Sequence, residues 1–333
     1  MVNQLLDVFA ADAFSMTSLT AAINGMPYVP SKAASLGVFR EKGVTTRTIN
    51  VESRDGTLAL IPNTPIGAPP NQSASAKRVV RAFTIPHLPL EDTVMASEIQ
   101  GVRAFGGSQL QGVQEVVNTK MATMKAKHDA TLEYGRLGAI KGVILDSDGS
   151  TTIYNLFTEF GISQTSVDFV LATSTTNVKG KAHQVIRAIE TELGQLTYQR
   201  IHCYCGKDWF DAFVNHTAVK AAYELWQDGT FLRTTQRGGF EFAGITFEEY
   251  RGSVGGVAFI ADAEAYAFPV GGPDLFISHF APGDFIESAN TPGLPLYARQ
   301  HVMEYNRGVK VLTESNPLSI NTRPKTSVKL TTS

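Results

Sequence analysis

Between residues 110 and 137 the apolar side chains repeat at the period of an α-helix for far longer than a small domain requires. Leu110, Val113, Val117, Met121 and Met124 are spaced 3, 4, 4 and 3 residues apart, which places them on one stripe. Gln114, Asn118, Lys120, Lys125 and Lys127 fall on other faces. Carried through Leu132 towards Leu137, the pattern predicts a helix over about 110–137, roughly 28 residues and about 40 Å long at ~1.5 Å per residue. Globular helices average about 11–12 residues. A rod of that length suits the bracing of an extended body, and its Met pair reads as core packing rather than as a cofactor site.

The second constraint lies upstream. Val44–Ser53 is rich in β-branched residues, Asp55-Gly56 is a tight-turn pair, and Thr57–Ile61 returns, which predicts a hairpin. Residues 62–76 are Pro, Gly and small polar residues throughout, and Lys77–Pro86 resumes a strand with a basic start. Two ribbons flanking such a tip describe a long projecting β-loop. An irregular loop of this length is uncommon in a compact domain and is usually functional, and an isolated ribbon is marginal in water. This one is therefore expected to rest on a partner. Before it, residues 1–43 read as an arm with little fixed structure of its own: Leu5, Leu6, Val8 and Phe9 are able to dock on a neighbour, Phe14–Ile23 suits a short helix, and Leu36–Phe39 is a small apolar anchor.

Further along, a hairpin is predicted around Asp148-Gly149, an amphipathic helix over Val178–Leu193, a strand at Arg200–Cys205, and a helix over 208–226 capped by Asp208. Phe240/Phe242 and Ile245/Phe247 alternate about Ala243-Gly244 as a hairpin, Val257–Ala261 reads as a buried strand, and Val302–Tyr305, Val309–Leu312 and Val328–Leu330 read as closing strands. The class is mixed α+β.

Composition limits what such a chain does. Its 333 residues, 43% hydrophobic and 18% charged, suffice for one large or two ordinary domains with an ample core. A formal net charge of −2 argues against a protein that grips nucleic acid through phosphate. No run approaches the ~18 apolar residues of a membrane span, and Met1–Phe9 lacks the basic region and apolar core of a signal peptide. No membrane partner is expected, and the chain is expected to be cytoplasmic where it is made.

Catalytic patterns are missing. There is no dinucleotide-binding glycine motif, Walker loop, nucleophile elbow or paired-histidine zinc motif. Gly252–Gly256 lacks the Lys and Ser/Thr that hold phosphate and metal. Cys203, Cys205 and His202 offer three metal donors where a structural zinc site needs four, and two packed, reduced thiols are the simpler reading. Asp146-Ser-Asp-Gly149 lacks the remaining ligands of a calcium loop. His216 has Asp208 and Asp211 nearby in sequence, each read as a capping or solvated residue, and Glu248-Glu249 and Glu190/Glu192 are adjacent rather than opposed carboxylates. The expectation is no enzyme, no cofactor and no metal.

What remains is a set of separated motifs. Pro27-Tyr-Val-Pro30, Leu36–Thr46, Asp55-Gly56 and Leu58–Ile61 come first. Phe276, Phe280-Ala-Pro-Gly-Asp-Phe-Ile-Glu-Ser288, Gly293-Leu-Pro-Leu-Tyr-Ala-Arg299, Glu314-Ser-Asn-Pro-Leu318 and Arg323-Pro324 follow. In this order, over nearly the whole chain, they resemble the lambda-type major capsid proteins of tailed bacteriophages, the major capsid protein E family. The resemblance implies an α+β Hong Kong 97 type fold: an N-terminal arm (1–43), an extended β-loop (44–85), a peripheral domain with a long spine helix (86–198, the helix at about 108–137), an axial domain (199–299) and C-terminal strands returning to the peripheral domain (300–333). It further implies hexamers and pentamers that form an icosahedral shell around double-stranded DNA, held without sequence recognition. Portal and scaffolding proteins are implied partners, and a decoration protein is left open. The resemblance places the chain in the virion, after assembly in the cytoplasm of a bacterial host.

The subunit-interface candidates are Leu5, Phe9, Arg54, Asp55, Pro65, Pro69, Pro70, Lys77 and Arg78. Some relatives join a Lys to an Asn of a neighbour; Lys77 is present, but no residue pattern identifies such a bond, and no fused scaffold is expected ahead of the arm. Another phage structural subunit (tail tube or decoration protein) and a small-molecule enzyme are the alternatives.

Overall fold

The computed structural model describes residues 16–25, 32–54, 78–100, 109–225 and 239–332. In chain order its strands begin with β1 (Arg40–Gly43), β2 (Thr48–Arg54), β3 (Arg78–Thr84), β4 (Leu88–Met95), β5 (Val143–Leu145), β6 (Thr152–Asn155), β7 (Ser166–Asp168) and β8 (Arg200–Cys205). They continue with β9 (Phe240–Phe242), β10 (Ile245–Glu249), β11 (Ser253–Val254), β12 (Val257–Ala258), β13 (Ala265–Val270), β14 (Phe276–Phe280), β15 (Tyr297–Val302), β16 (Gly308–Ser315), β17 (Pro317–Asn321) and β18 (Val328–Thr331). With helices interleaved, the class is α+β.

The largest sheet runs β7-β18-β13-β8-β10-β9. Its central strand β8 is buried on both sides, because both faces of the sheet are covered. On one face the register aligns Cys203 with Phe247 and Ala267. Trp209 and Phe213 pack on Phe247 there, with ring centroids 5.9 and 4.3 Å apart. On the other face Tyr204 packs on Phe268 (5.3 Å), Phe268 on Phe276 (6.1 Å) and Phe276 on Phe39 (5.3 Å). This aromatic run joins the sheet to the rest of the body. Each such ring buried from water contributes on the order of 2–3 kcal/mol.

Two three-stranded sheets, β1-β14-β17 and β15-β16-β4, form the second half of the molecule. The helix Gln109–Lys141 packs against β17, β16, β5 and β4. It has 33 residues, so it continues beyond the expected end at 137. Val117, Met121 and Met124 are fully buried, as the stripe requires. From Lys125 onward, however, the helix is enclosed nearly all round, and Lys125, His128, Asp129, Glu133 and Arg136 are buried too. Lys125 is thus not on a free polar face; it pairs with Asp129 at 3.2 Å.

Other expectations also change. Thr48–Arg54 pairs with Arg78–Thr84, ending at Arg54 opposite Arg78; the expected turn at Asp55-Gly56 lies outside the described residues. The strand partner is set by Ile49 and Phe83, which meet in register and are both buried. Residues 57–61 lie outside the described residues. The expected helix over 208–226 is two helices, Lys207–Asn215 and Thr217–Leu225, separated at His216, whose backbone is extended (φ −63°, ψ 136°). The N-cap of the first is Gly206, not Asp208. At 257–261 only Val257–Ala258 is strand, and Ala258 is exposed. The hairpins at 143–155 and 240–249 form as expected; the second turns on Ala243 (φ 51°) and Gly244 (φ 84°), the left-handed pair of a type I′ turn.

Sheet pairing also cuts across the linear division expected from the sequence. Val328–Thr331 pairs with β13 and Ser166–Asp168 pairs with β18. The six-stranded sheet therefore draws strands from both sides of 199–299, because its ladder bonds are made between segments far apart in the chain.

Candidate functional site

Cys203, Cys205, His202, Asp148 and His216 are each engaged in the fold. Cys203 and Cys205 lie on one face of β8, fully buried, with sulfurs 3.7 Å apart. Burial and the neighbouring Cys203 push the Cys205 thiol well up. Strand alternation sends His202 to the opposite face, where its Nε2 lies 3.0 Å from Glu248. Asp148 accepts hydrogen bonds from Thr151 Oγ1 and from the amides of Ser150 and Thr151, which hold its carboxyl well below the usual range.

His216 serves its own helix break. Its Nε2 lies 3.0 Å from the carbonyl of Thr173, and its Nδ1 accepts the amide of Ala218 at 3.2 Å. Glu190 accepts from Tyr198 at 2.8 Å and Glu192 pairs with Lys325 at 3.4 Å. Among the described residues no group of three or more His, Cys, Asp or Glu is placed to hold a metal. Among them, too, no helix is long and apolar enough to cross a membrane.

The β2–β3 ribbon is anchored at Phe83 and Arg81. Phe83 packs between Tyr154 (5.2 Å) and Phe160 (6.1 Å), and the Tyr154 hydroxyl bonds both the amide and the carbonyl of Thr84. Arg81 donates to the carbonyls of Glu159 and Phe160 and covers the Phe160 ring. Further out, Val80 is 54% exposed. The last pair in register is Arg54 with Arg78. Asp55, Pro65, Pro69, Pro70 and Lys77 lie outside the described residues, as do Leu5 and Phe9. Of Arg54 and Arg78 only the backbone is described.

The described part of residues 1–43 is fixed on its own chain. In the helix Met16–Gly25, Leu19 and Ile23 are buried. Thr20 Oγ1 exchanges hydrogen bonds with the amide and carbonyl of Ala298, and Asn24 donates to the carbonyl of Leu296 at 2.8 Å. Lys32 pairs with Glu248 and donates to the carbonyl of Glu249. Arg136, buried in the long helix, donates to Glu41 at 2.6 Å and faces the Phe39 ring. β1 then runs parallel to β14. Arm-like freedom is lost there because apolar and charged anchors from three other segments converge on 32–44.

The Pro- and Gly-rich stretch 268–299 visits all three large sheets in turn, through β13, β14 and β15. Its irregular part, 281–296, is held by the second motif. Glu314, buried at the end of β16, accepts the amide of Asp284 at 2.8 Å. Ser315 donates to the carbonyl of Pro295 at 2.7 Å and Asn316 to that of Pro282 at 2.8 Å. Two motifs about 30 residues apart in sequence are thus one structural unit. Their contact leaves one trace in the sequence, a run of polar residues, Glu314-Ser-Asn, inside a strand pattern.

Comparison with known proteins gives a consistent result. A family model described as phage major capsid protein E matches residues 15–332. The major capsid protein of Pseudomonas phage KPP10 is 27% identical over 95% of this chain and 96% of its own. That of Salmonella phage Felix O1 is 23% identical over 94% of each. Among solved structures, the mature capsid of bacteriophage PhiM1 is similar with a TM-score of 0.54 at 12% identity, over 93% of this chain and 89% of that one. The fold is of the Hong Kong 97 type shared by such capsid subunits.

Proposed function

The chain belongs to the phage major capsid protein E family, and we propose that it builds the head shell by self-assembly, as hexamers and pentamers around double-stranded DNA. Its role in this reading is structural rather than catalytic, within the virion after assembly in the host cytoplasm. Portal and scaffolding proteins are its expected helpers.

The observation that carries the mechanism is the ribbon. Base residues Ile49 and Phe83 are buried while Val80 is exposed, and in sequence the two strands flank the Pro-rich residues 62–76. Reach is the physical reason for such an element: it buries surface on a neighbour that a compact domain does not touch. In this reading the ribbon lies over the next subunit, residues 1–15 clasp another with Leu5 and Phe9, and the long helix braces the body. A specific interface buries about 1,200–2,000 Å², so several per subunit outweigh any one contact.

The test is deletion of residues 68–75. Electron microscopy and particle yield are expected to show loss or weakening of closed shells with the subunit still folded. Normal yield and particle stability would sink the loop's role. Tubes or dispersed monomers from the wild-type chain would favour a different structural subunit.

A further inference from the structure

The two cysteines sit at the centre of the six-stranded sheet. β8 lies between β13 and β10, and the register sets Cys203 between Ala267 and Phe247 and Cys205 between Ala265 and Glu249. Neither residue reaches solvent, and the amide of Tyr250 bonds the carbonyl of Cys205 at 2.9 Å. The sulfurs lie 3.7 Å apart on one face. A disulfide would draw them to about 2.0 Å, with the Cβ atoms about 3.5–4.5 Å apart. Alternate residues of a strand are about 6.6–6.8 Å apart, twice the rise per residue, and their side chains project in parallel. The bridge therefore does not fit an extended β8. Residues 203–205 would have to bend, and the ladders to both neighbouring strands would break at the centre of the sheet.

We infer that this pair makes the fold conditional on reduced thiols: the chain folds only while Cys203 and Cys205 are reduced, and once folded it shields them from oxidation. In the unfolded chain a single residue separates the thiols, and a low-molecular-weight disulfide such as oxidised glutathione suffices as oxidant. One cysteine thiolate attacks it, forming a mixed disulfide and releasing one glutathione thiolate. The second cysteine thiolate attacks the protein sulfur of that adduct, forming the Cys203–Cys205 bond and releasing the other glutathione. The two protons lost by the cysteines end on the two glutathione thiols. In the folded chain both sulfurs are enclosed, and burial with Cys203 alongside pushes the Cys205 thiol well up, away from the reactive thiolate. The inference holds whatever the folded chain assembles into.

The test is refolding from denaturant after oxidation with oxidised glutathione, with mass spectrometry to confirm the loss of two hydrogens. Strain in the bridged strand is expected to cut recovery of soluble, folded chain at least about tenfold against the reduced chain. Dithiothreitol is expected to restore it. The double variant Cys203→Ala with Cys205→Ala, taken through the same oxidation, is expected to refold as its untreated control does. Without denaturant, oxidised glutathione is expected to consume the wild-type thiols at least about a hundredfold more slowly than in denaturant. If even the reduced chain does not refold in vitro, soluble yield from bacteria with an oxidising against a reducing cytoplasm takes the place of refolding, with the same tenfold loss expected. Recovery of the bridged chain to the reduced level overturns the inference. So does equal thiol consumption with and without denaturant, or an equal loss in the double variant.

Discussion

Glu133, in the middle of the long helix, accepts the backbone amide of Ala33, 100 residues earlier, at 2.9 Å through Oε1. The same oxygen accepts the Tyr250 hydroxyl at 3.0 Å. One buried carboxylate thereby ties the N-terminal segment to the long helix and to the end of the six-stranded sheet. Glu133→Ala leaves both donors buried without an acceptor, at a cost of about 2–4 kcal/mol. Glu133→Gln keeps an acceptor and is expected to cost less, and Tyr250→Phe about 1 kcal/mol. Urea denaturation of the three variants checks this order.

His128 gives the fold an acid-sensitive point. Burial, with the Lys125 ammonium alongside, lowers its pKa to about 4, and its Nε2 lies 3.0 Å from Thr313 Oγ1. The unfolded chain takes up this proton near pH 6.5, so the stability conferred by the neutral ring is complete above that pH. It is lost as pH falls from 6.5 towards 4, by about 3 kcal/mol. His128→Gln is expected to flatten this part of the melting-temperature profile. An unchanged slope between pH 6.5 and 4 would count against the assignment.

Lys32 and Glu248 give a second pH effect. Burial raises the Glu248 pKa, but hydrogen bonds from His202 and Lys32 outweigh it, and the net shift is downward from 4.5. Its contribution is therefore present above the unfolded carboxyl's pKa and lost as pH falls through the lower folded value. Lys32→Met removes one of the two partners of a mostly buried carboxylate. The expected result is destabilisation by about 1–3 kcal/mol at pH 7, shrinking on acidification below pH 4.5, read from melting temperatures across that range.

Two glycine substitutions are expected to have opposite signs. A Cβ on Gly293 would lie 2.1 Å from the carbonyl oxygen of Phe280, and its amide bonds the carbonyl of Val44 at 2.9 Å. Backbone on both sides leaves no room to yield, so Gly293→Ala should cost about 3 kcal/mol or more. Gly135, inside the long helix, has nothing within 4 Å of the corresponding position. Gly135→Ala should stabilise by about 0.5–1 kcal/mol. Thermal melts of both variants decide.

Elements whose causes are local could be read directly. The long helix follows from a stripe of apolar residues, and the Ala243-Gly244 hairpin from alternation around a turn pair that adopts φ 51° and 84°. The helix break at His216 was missed, because the signal is an imidazole reaching the carbonyl of Thr173, 43 residues away. The pairing of 48–54 with 78–84 rests on a related cause: Phe83 is buried against Tyr154 and Phe160, which are distant in sequence.

By itself, then, the sequence determined the α+β class, the rod and the family, through periodicity, turn chemistry and motif order. Only the tertiary structure decided which charged residues are buried. Glu133, Arg136 and Glu314 look like surface residues in the chain, yet each is nearly inaccessible. A charge is stable in the interior only where partners from other segments replace its water, and Ala33, Glu41 and Asp284 take those positions only once the sheets and the long helix have come together.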